Sequence, residues 1–144
     1  MTNSTNRPIP RPQTTNQANP RDLDRSRAST AWNNIQSVTT LPIQAQYGSL
    51  ARKMPTLIQV NGLGQTLAFL KAKEKGEDHH KRMFDNLSDW VCSRLPANTG
   101  TTAEHLLKRV LNMDSQTYRF ATAEALAFLQ WIKRFAEAEL GTED

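Results

Sequence analysis

The sequence predicts an all-α protein, a compact bundle of about five to six helices with a disordered Pro- and Asn-rich N-terminal tail. From Arg21 onward apolar residues recur every three or four positions, the spacing that gives a helix one buried face. No stretch shows the sustained alternation of a half-buried strand, and Pro and Gly punctuate the helical segments. We therefore expect one helical domain over residues 21–144.

The tail is predicted from composition. Residues 1–20 hold four of the seven prolines among Asn, Thr and Gln and have almost nothing to bury, so they are expected to be disordered. Arg7 and Arg11 are able to contact a polyanion loosely, but a solvated extension without a specific role is the simpler interpretation.

Charge and cysteine content limit the classes of function. The chain has 18 Lys and Arg against 14 acids, a net charge of +4, which is a mild lean toward polyanions. Its single cysteine, Cys92, has apolar neighbours and is predicted to be a buried, inert thiol in a reducing compartment. Since no apolar run approaches the roughly 18 residues of a membrane span and no secretory signal is evident, we expect a cytoplasmic protein without membrane contact.

Two helices are predicted before Gly62. The first, about Asp22 to Thr39, has a periodic apolar face expected in the core: Ala28, Ala31, Trp32, Ile35 and Val38. The second, about Ile43 to Val60, contains Pro55, which should kink or divide it after Lys53 or Met54 because proline removes one backbone hydrogen bond. Gly62 is predicted to end this helix in the left-handed conformation.

Two further helices follow Gly62. Gly64 would allow a close approach at the start of the third helix, which carries Leu63, Leu67 and Leu70 with Phe69 beside them and stops near Gly76. Asp78 is a predicted N-cap for the fourth helix. That helix ends before Pro96 and has an inward stripe made of Met83, Phe84, Leu87, Trp90 and Val91.

The last two helices follow the loop through Asn98 and Gly100. Thr101–Glu104 matches a capping box that opens a short fifth helix, with apolar residues at Leu106, Leu107, Val110 and Leu111. Asp114 should cap the last helix. At about 100° per residue, its apolar stripe contains Tyr118, Ala121, Ala125, Phe128, Ile132 and Phe135, and Phe120, Ala127, Leu129 and Trp131 widen it. So wide an arc predicts a central helix.

No catalytic motif is present, whether a Walker loop, dinucleotide fingerprint, nucleophile elbow or metal-spaced cysteine set. His79 and His80 are adjacent, so on a helix they point about 100° apart and share no metal without outside ligands. His105 is interpreted as a surface residue. We therefore predict no enzyme activity, no catalytic residue, no metal and no cofactor.

Glu124 is the unusual carboxylate, because it falls between Trp131 and Phe135 inside the apolar arc. A lone acid is able to act as a general base, but no second titratable group is placed to work with it. A buried ion pair or hydrogen bond is therefore favoured, and the predicted partner is a Lys or Arg on another helix.

Cations are the better functional candidates. Arg119, Lys133 and Arg134 fall within about 100° of one another, roughly opposite the apolar stripe. The pair Arg52-Lys53 lies just before the predicted kink at Pro55, and Lys81-Arg82 opens the fourth helix. Lys73 points nearly opposite to Lys71 and Lys75. Each pair taken alone is also consistent with an ordinary solvated face.

Several strings closely resemble one known family. They are YGSLARKMPTLI from Tyr47, NGLGQTLAFLKAK from Asn61, and the segments YR from Tyr118, EALAFL from Glu124 and WIKRFA from Trp131. They resemble the small, fifth subunit of the type III-B CRISPR effector, the Cmr RAMP-module complex, over about residues 22–140. The tail lies outside this resemblance.

The resemblance implies a non-catalytic helical protein in antiviral defence. Such subunits stack as a filament beside repeated backbone subunits and a large polymerase-like subunit, and their basic surfaces line the channel that holds target RNA on the guide RNA. Cleavage then belongs to the other subunits. The RNA-contacting candidates in or beside the matching strings are Arg52, Lys53, Lys73, Arg119, Lys133 and Arg134.

Two alternatives stay open at the level of sequence. One is a structural adaptor that binds only protein, with its positive charge serving solubility. The other is the small subunit of the related type III-A complex, although the strings GLGQTLAFL and FLQWIKRFA resemble the III-B family more closely.

Overall fold

The computed structural model describes residues 19–96 and 105–143, and within these ranges the chain forms six helices and no strand. The helices are α1 (Pro20–Gln36), α2 (Gln44–Asn61), α3 (Leu63–Lys73), α4 (His79–Arg94), α5 (Leu106–Val110) and α6 (Ser115–Glu139). The predicted all-α bundle is confirmed. Nearly all of the predicted tail, and the whole of Thr101–Glu104, lie outside the described residues.

The central element is α6, which packs against α1, α2 and α4. The core-facing residues of its predicted stripe are fully buried: Ala121, Ala125, Phe128 and Ile132, together with Leu129. Tyr118 and Phe135 are half-buried at the edges, and Phe120 is exposed. The apolar arc of α6 is wide because three helices cover α6 from different sides, as predicted for a central helix.

α2 runs antiparallel to α6. At one end the Gly64 N–H donates a hydrogen bond to Tyr118 Oη at 2.9 Å, and at the other the Gly141 N–H donates to Gln44 Oε1 at 2.8 Å. Near the second end the two backbones touch, because a Cβ at Gly48 would overlap the carbonyl oxygen of Gly141. Contact at both ends sets the register of the two helices.

The predicted division of α2 at Pro55 is wrong. One helix continues from Gln44 to Asn61 with Pro55 inside it. Pro55 is buried together with Met54 and Ile58, so its ring contributes to the core that α2 shares with its neighbours. Tertiary packing of an apolar face outweighs one missing backbone hydrogen bond, because helices in proteins take most of their stability from such packing.

Most helix ends agree with the predictions. Asp78 and Asp114 accept hydrogen bonds from the backbone N–H groups of Lys81 and Thr117, as N-caps do. Gly62 has the predicted positive φ, 88°, but its ψ of 160° is extended rather than left-handed helical. A Cβ at Gly64 would lie 3.6 Å from Tyr118 Oη, an ordinary contact, so Tyr118 is the group that approaches there.

Two helix boundaries differ from the predictions. α1 ends at Gln36 rather than near Thr39, although Val38 remains buried in the turn that follows. α5 begins only at Leu106, and its N-cap is His105, whose Nδ1 accepts a hydrogen bond from the Lys108 N–H at 3.3 Å. The start of α5 therefore lies after the predicted capping box.

Some predicted core residues are partly or largely exposed. Trp32 and Phe69 each expose 40% of their surface, and Leu111 exposes 75%. Trp32 lies at the edge of the bundle, where its ring meets Phe135 edge-on at 5.1 Å. Helical periodicity identifies the side of a helix that turns inward, but the neighbouring helices decide how far the buried face extends.

Gly48→Ala tests the contact between α2 and the C-terminal segment. The new methyl group would displace the Gly141 carbonyl, so we expect a loss of about 1–3 kcal/mol in the free energy of unfolding, measured by chemical denaturation. Gly64→Ala is the matched control, because its Cβ has ordinary space and alanine favours a helix. Equal stabilities of the two variants would contradict this packing.

Candidate functional site

The six cations predicted to contact RNA lie on three helices. Arg52 and Lys53 are on α2, Lys73 ends α3, and Arg119, Lys133 and Arg134 are on α6. Each is exposed or half-buried, and none forms an ion pair with another described residue. Within the described part of the chain their charges are therefore not neutralised locally.

Other cations have acidic partners. Arg25 pairs with Asp22, and Lys81 Nζ lies 2.9 Å from Asp85 Oδ2. Lys71 Nζ lies 3.2 Å from Glu74 and 5.6 Å from the centre of the Phe84 ring. The unpaired state is not unique to the six candidates, because Arg21, Lys75, Arg82 and Lys108 also make no ion pair with a described residue. The six candidates are therefore distinguished from these other unpaired cations only by their positions in the fold.

Arg52 and Lys133 lie at neighbouring levels along the antiparallel pair α2 and α6. Counting inward from the contact of Gly48 with Gly141 puts Arg52 about 6 Å and Lys133 about 12 Å along the pair, a difference of about one helical turn. Arg52 follows Gly48 by about 40° around α2, and Lys133 follows Tyr118 by about 60° around α6, each toward solvent. Both side chains are half-buried, as expected for the rim of a groove between two helices. We call this rim the α2/α6 seam.

Arg119 lies on the same flank of α6, but about 21 Å along the helix from Lys133. The seam therefore carries cations at two levels rather than one compact cluster. Such a spacing suits a ligand with repeated negative charges along its length, as a nucleic-acid backbone has.

The Arg52 guanidinium has an unused donor. Its Nε is buried and has no hydrogen-bond partner among the described residues. A buried N–H without an acceptor costs roughly 1–3 kcal/mol, so a rotation of the Arg52 side chain that brings this N–H to an external acceptor would recover that energy. Arginine donors in a fork match the oxygens of phosphate and carboxylate groups.

The other three candidates point elsewhere. Lys53 follows Arg52 by about 100° around α2, and Lys73 is the last residue of α3. Arg134 turns away from Lys133 toward α1, where it lines a surface hollow with Asp24 and Trp131. By their helical positions, three of the six cations lie toward the α2/α6 seam and three on other faces.

Glu124 has the predicted type of partner. It is only 4% exposed, and Arg27 of α1 holds both its oxygens, with Nε 2.7 Å from Oε2 and Nη2 3.0 Å from Oε1. Trp90 Nε1 also donates to Oε2 at 2.7 Å, and Arg94 Nε lies 3.8 Å from Oε1. Burial acts to raise the pKa of Glu124, but these donors outweigh it and hold the pKa below its usual value. An ionised carboxylate bound at both oxygens is a structural group.

A second carboxylate extends this network. Asp24 Oδ1 accepts hydrogen bonds from Arg27 Nη1 and Trp131 Nε1, both at 3.1 Å, and the Trp131 bond is the main cause that lowers the pKa of Asp24. Sequence reasoning did not identify Arg27. The available signal was that Arg27 lies about 40° from the buried Ala31 around α1, on the side of the helix that turns inward.

The adjacent histidines are closer together than their helical separation suggests. The ring centres of His79 and His80 lie 4.0 Å apart, and Asp78 supplies an outside carboxylate beside them. Burial and the neighbouring His80 lower the pKa of His79. His105 is exposed, as expected for a surface residue.

Cys92 is half-buried rather than buried, and its burial raises the pKa of the thiol, which favours the unreactive protonated form. Among the described helices none combines the length and the apolar character that crossing a bilayer requires.

Comparison with known proteins gives consistent matches. The family model described as "CRISPR-associated protein (Cas_Cmr5)" matches residues 23–139. The chain is 27% identical over 111 residues to the "CRISPR system Cmr subunit Cmr5" of Thermus thermophilus, covering 77% of this chain and 90% of that one. It is 33% identical over 93 residues to the protein of the same description from Thermotoga maritima, covering 62% and 63%.

A solved structure is also similar. It is the crystal structure of a CRISPR-associated Cmr5 family protein from Thermus thermophilus, with a TM-score of 0.65 and 27% identity. The match covers 81% of this chain and 95% of that one, so nearly the whole of that fold recurs here.

Glu124→Gln should destabilise the fold strongly, because it leaves the half-buried Arg27 without its counter-charge. We expect a loss of about 3 kcal/mol in the free energy of unfolding, measured by urea denaturation at pH 7. Glu137→Gln is the matched control on the same helix, because Glu137 is exposed and pairs with no described residue, and it should change stability by less than about 0.5 kcal/mol. Similar effects of both substitutions would contradict the assignment.

The stabilisation by Glu124 should depend on pH. Its pKa is lower in the folded protein than the ordinary 4.5, so its contribution is complete above about pH 4.5 and is lost as the pH falls through the folded-state pKa. The difference in unfolding free energy between wild type and Glu124→Gln should therefore shrink below about pH 4.5. Urea denaturation from pH 7 to pH 3 measures this difference, and one that stays constant over the range would argue against an ionised Glu124.

Proposed function

The chain belongs to the Cas_Cmr5 family of CRISPR-associated proteins, and we propose on that premise that it is the non-catalytic small subunit of a type III-B CRISPR effector, the Cmr complex. The names of its relatives in Thermus and Thermotoga support this proposal, since both are described as Cmr subunits. The role is antiviral defence in the cytoplasm.

In this complex the protein stacks with further copies of itself, beside the repeated backbone subunits and the large polymerase-like subunit. Exposed apolar side chains support extensive protein contact. Val60 exposes 74% of its surface, and Phe69, Leu111 and Phe120 are also exposed. Surface groups of this kind favour interfaces, because covering them removes apolar area from water.

The second part of the proposal is that the α2/α6 seam contacts target RNA through Arg52, Lys133 and Arg119. The unpartnered Nε of the half-buried Arg52 is the observation that supports it most, because rotation of this side chain would bring the donor to a phosphate oxygen, an acceptor of the right chemistry. Lys53, Lys73 and Arg134 lie on other faces and act through their charge on RNA or on neighbouring subunits.

Phosphate contact suits a small subunit. Lys and Arg bind phosphates without reading sequence, so the pairing of guide with target is left to supply specificity. A net charge of +4 per copy gives weak binding, but stacked copies add their fields along one strand and the combined affinity rises by multivalency.

Absence of catalysis is likewise a proposal. It is supported by the lack of catalytic motifs in the sequence and by the engagement of Glu124, the one unusual carboxylate, at both its oxygens. A carboxylate held by Arg27 and Trp90 is poorly placed to accept a substrate proton.

A purely structural adaptor is the second candidate. The exposed Val60 and Leu111 favour it, because both side chains suit protein contact rather than RNA. The related type III-A small subunit is less favoured, since the matching family model is that of Cas_Cmr5.

Reconstitution separates the two leading candidates. We expect Cmr complexes built with Arg52→Ala/Lys133→Ala to assemble normally but to bind target RNA more weakly. A plot of log affinity against log salt concentration has a negative slope, and this slope should become shallower by about 0.7–0.9 for each RNA phosphate that a copy of the variant no longer neutralises. Filter binding across salt concentrations measures the slope, and size-exclusion chromatography checks assembly.

A charge-matched variant controls for net charge. Arg25→Ala/Lys81→Ala also removes two cations per copy, but both pair with their own acids, Asp22 and Asp85. It should retain near wild-type RNA affinity. If the seam variant assembles normally and binds RNA as wild type does, the adaptor function is favoured. If both variants bind RNA equally weakly, the loss of affinity comes from the lower net charge and not from the seam.

A further inference from the structure

The first turn of α4 gathers three potential metal ligands. One ligand atom each from Asp78, His79 and His80 lies within 4.8 Å of the others, and all three residues are half-buried. We propose that these side chains bind one divalent transition-metal ion, of which Zn²⁺ is the type case, independently of the role assigned to the α2/α6 seam.

The distances need little rearrangement. Nitrogen and oxygen ligands lie about 2.0–2.2 Å from zinc, so two ligands of a tetrahedral site are roughly 3.4 Å apart. His80 Nδ1 is already 3.5 Å from Asp78 Oδ2, and one ligand atom from each of the three residues lies within 4.8 Å of the others. Binding would turn the His79 ring out of its tilted contact with His80 so that a nitrogen of each ring faces the ion, and water would complete the coordination.

His80 presents an unused nitrogen. Its Nδ1 is buried and has no hydrogen-bond partner among the described residues, because 3.5 Å to Asp78 is too long for a good hydrogen bond. In the tautomer that carries its proton on Nε2, this Nδ1 presents a lone pair, and a metal ion between it and Asp78 Oδ2 would satisfy both groups.

Asp78 is held in place before any ion binds. Its Oδ1 accepts from the Lys81 N–H and its Oδ2 from the Lys75 N–H, both at 3.0 Å. A carboxylate oxygen has more than one acceptor position, so these bonds orient the group without using all its lone pairs. Backbone support of a ligating carboxylate is the usual outer shell of a metal site.

The surrounding charge is mixed. The N-terminal end of α4 is the positive end of its dipole and disfavours a cation, whereas Asp78 is negative and Glu143 favours positive charge at His79. Lys81 is already paired with Asp85. A set of two imidazoles and one carboxylate selects Zn²⁺, Co²⁺, Ni²⁺ or Cu²⁺ over Mg²⁺ or Ca²⁺.

Two adjacent histidines on a helix are expected to share no metal without a ligand from outside the helix. Here Asp78, which precedes the helix, is such a ligand. Its backbone is extended, with φ of −90° and ψ of −174°, so its side chain folds back over the first turn as an N-cap. The outside ligand that a neighbouring pair of histidines needs is therefore supplied by the preceding residue.

Calorimetric titration of Zn²⁺ into the untagged full chain at pH 7.5 tests the proposal. We expect saturable binding of one ion per chain, at least tenfold weaker in His79→Ala and in His80→Ala. His105→Ala removes the third histidine of the chain and should bind as wild type does. Zn²⁺ should also raise the melting temperature of wild type and His105→Ala, but not of His80→Ala.

Circular dichroism checks that each variant folds. If one does not, X-ray absorption spectroscopy of the wild-type Zn²⁺ complex tests the proposal by counting the imidazole ligands of the zinc. Two imidazole ligands per zinc are expected. The proposal is overturned by zinc with one imidazole or none, by the absence of saturable binding below millimolar Zn²⁺, or by unchanged affinity in folded His79→Ala and His80→Ala.

Discussion

The buried ion pair between Glu124 and Arg27 is the constraint on which the rest of the structure depends. Glu124 belongs to α6 and Arg27 to α1, while α4 supplies the donor Trp90 and the nearby cation Arg94, so one carboxylate joins three helices. A displacement of α1 or α4 along α6 would leave a buried charge without its partners, which costs several kcal/mol. Apolar packing alone specifies register less sharply, because Leu, Phe and Ala tolerate small slips.

With α1 and α4 fixed on one side of α6, α2 occupies another flank. Gly48 allows the backbones of α2 and the C-terminal segment to touch, and Tyr118 reaches the backbone of Gly64 at the other end. The outer rim of this pair is the α2/α6 seam, where helix geometry puts Arg52 and Lys133 within about one turn of each other although they are distant in sequence. The proposed RNA contact thus depends on the same packing that fixes the core.

The cations and the apolar side chains on the surface suit different partners. The α2/α6 seam offers dispersed positive charge, which gives weak and salt-sensitive binding to a polyanion. Val60, Phe69 and Leu111 offer apolar area, which gives contact with protein. A small subunit that bridges RNA and neighbouring subunits needs both, and the sequence pattern indicated only that both kinds of residue were present.

Local patterns in the sequence determined the all-α class, the central position of α6, the N-caps at Asp78 and Asp114, and the need of Glu124 for a cationic partner. These follow from helical period and backbone chemistry, which act over a few residues. Only the tertiary structure decided that the partner is Arg27, that α2 continues through Pro55, that Trp32 stays partly exposed, and that the helix of Arg52 packs beside that of Lys133. Each depends on which helices become neighbours, and that is settled by packing between residues far apart in the chain.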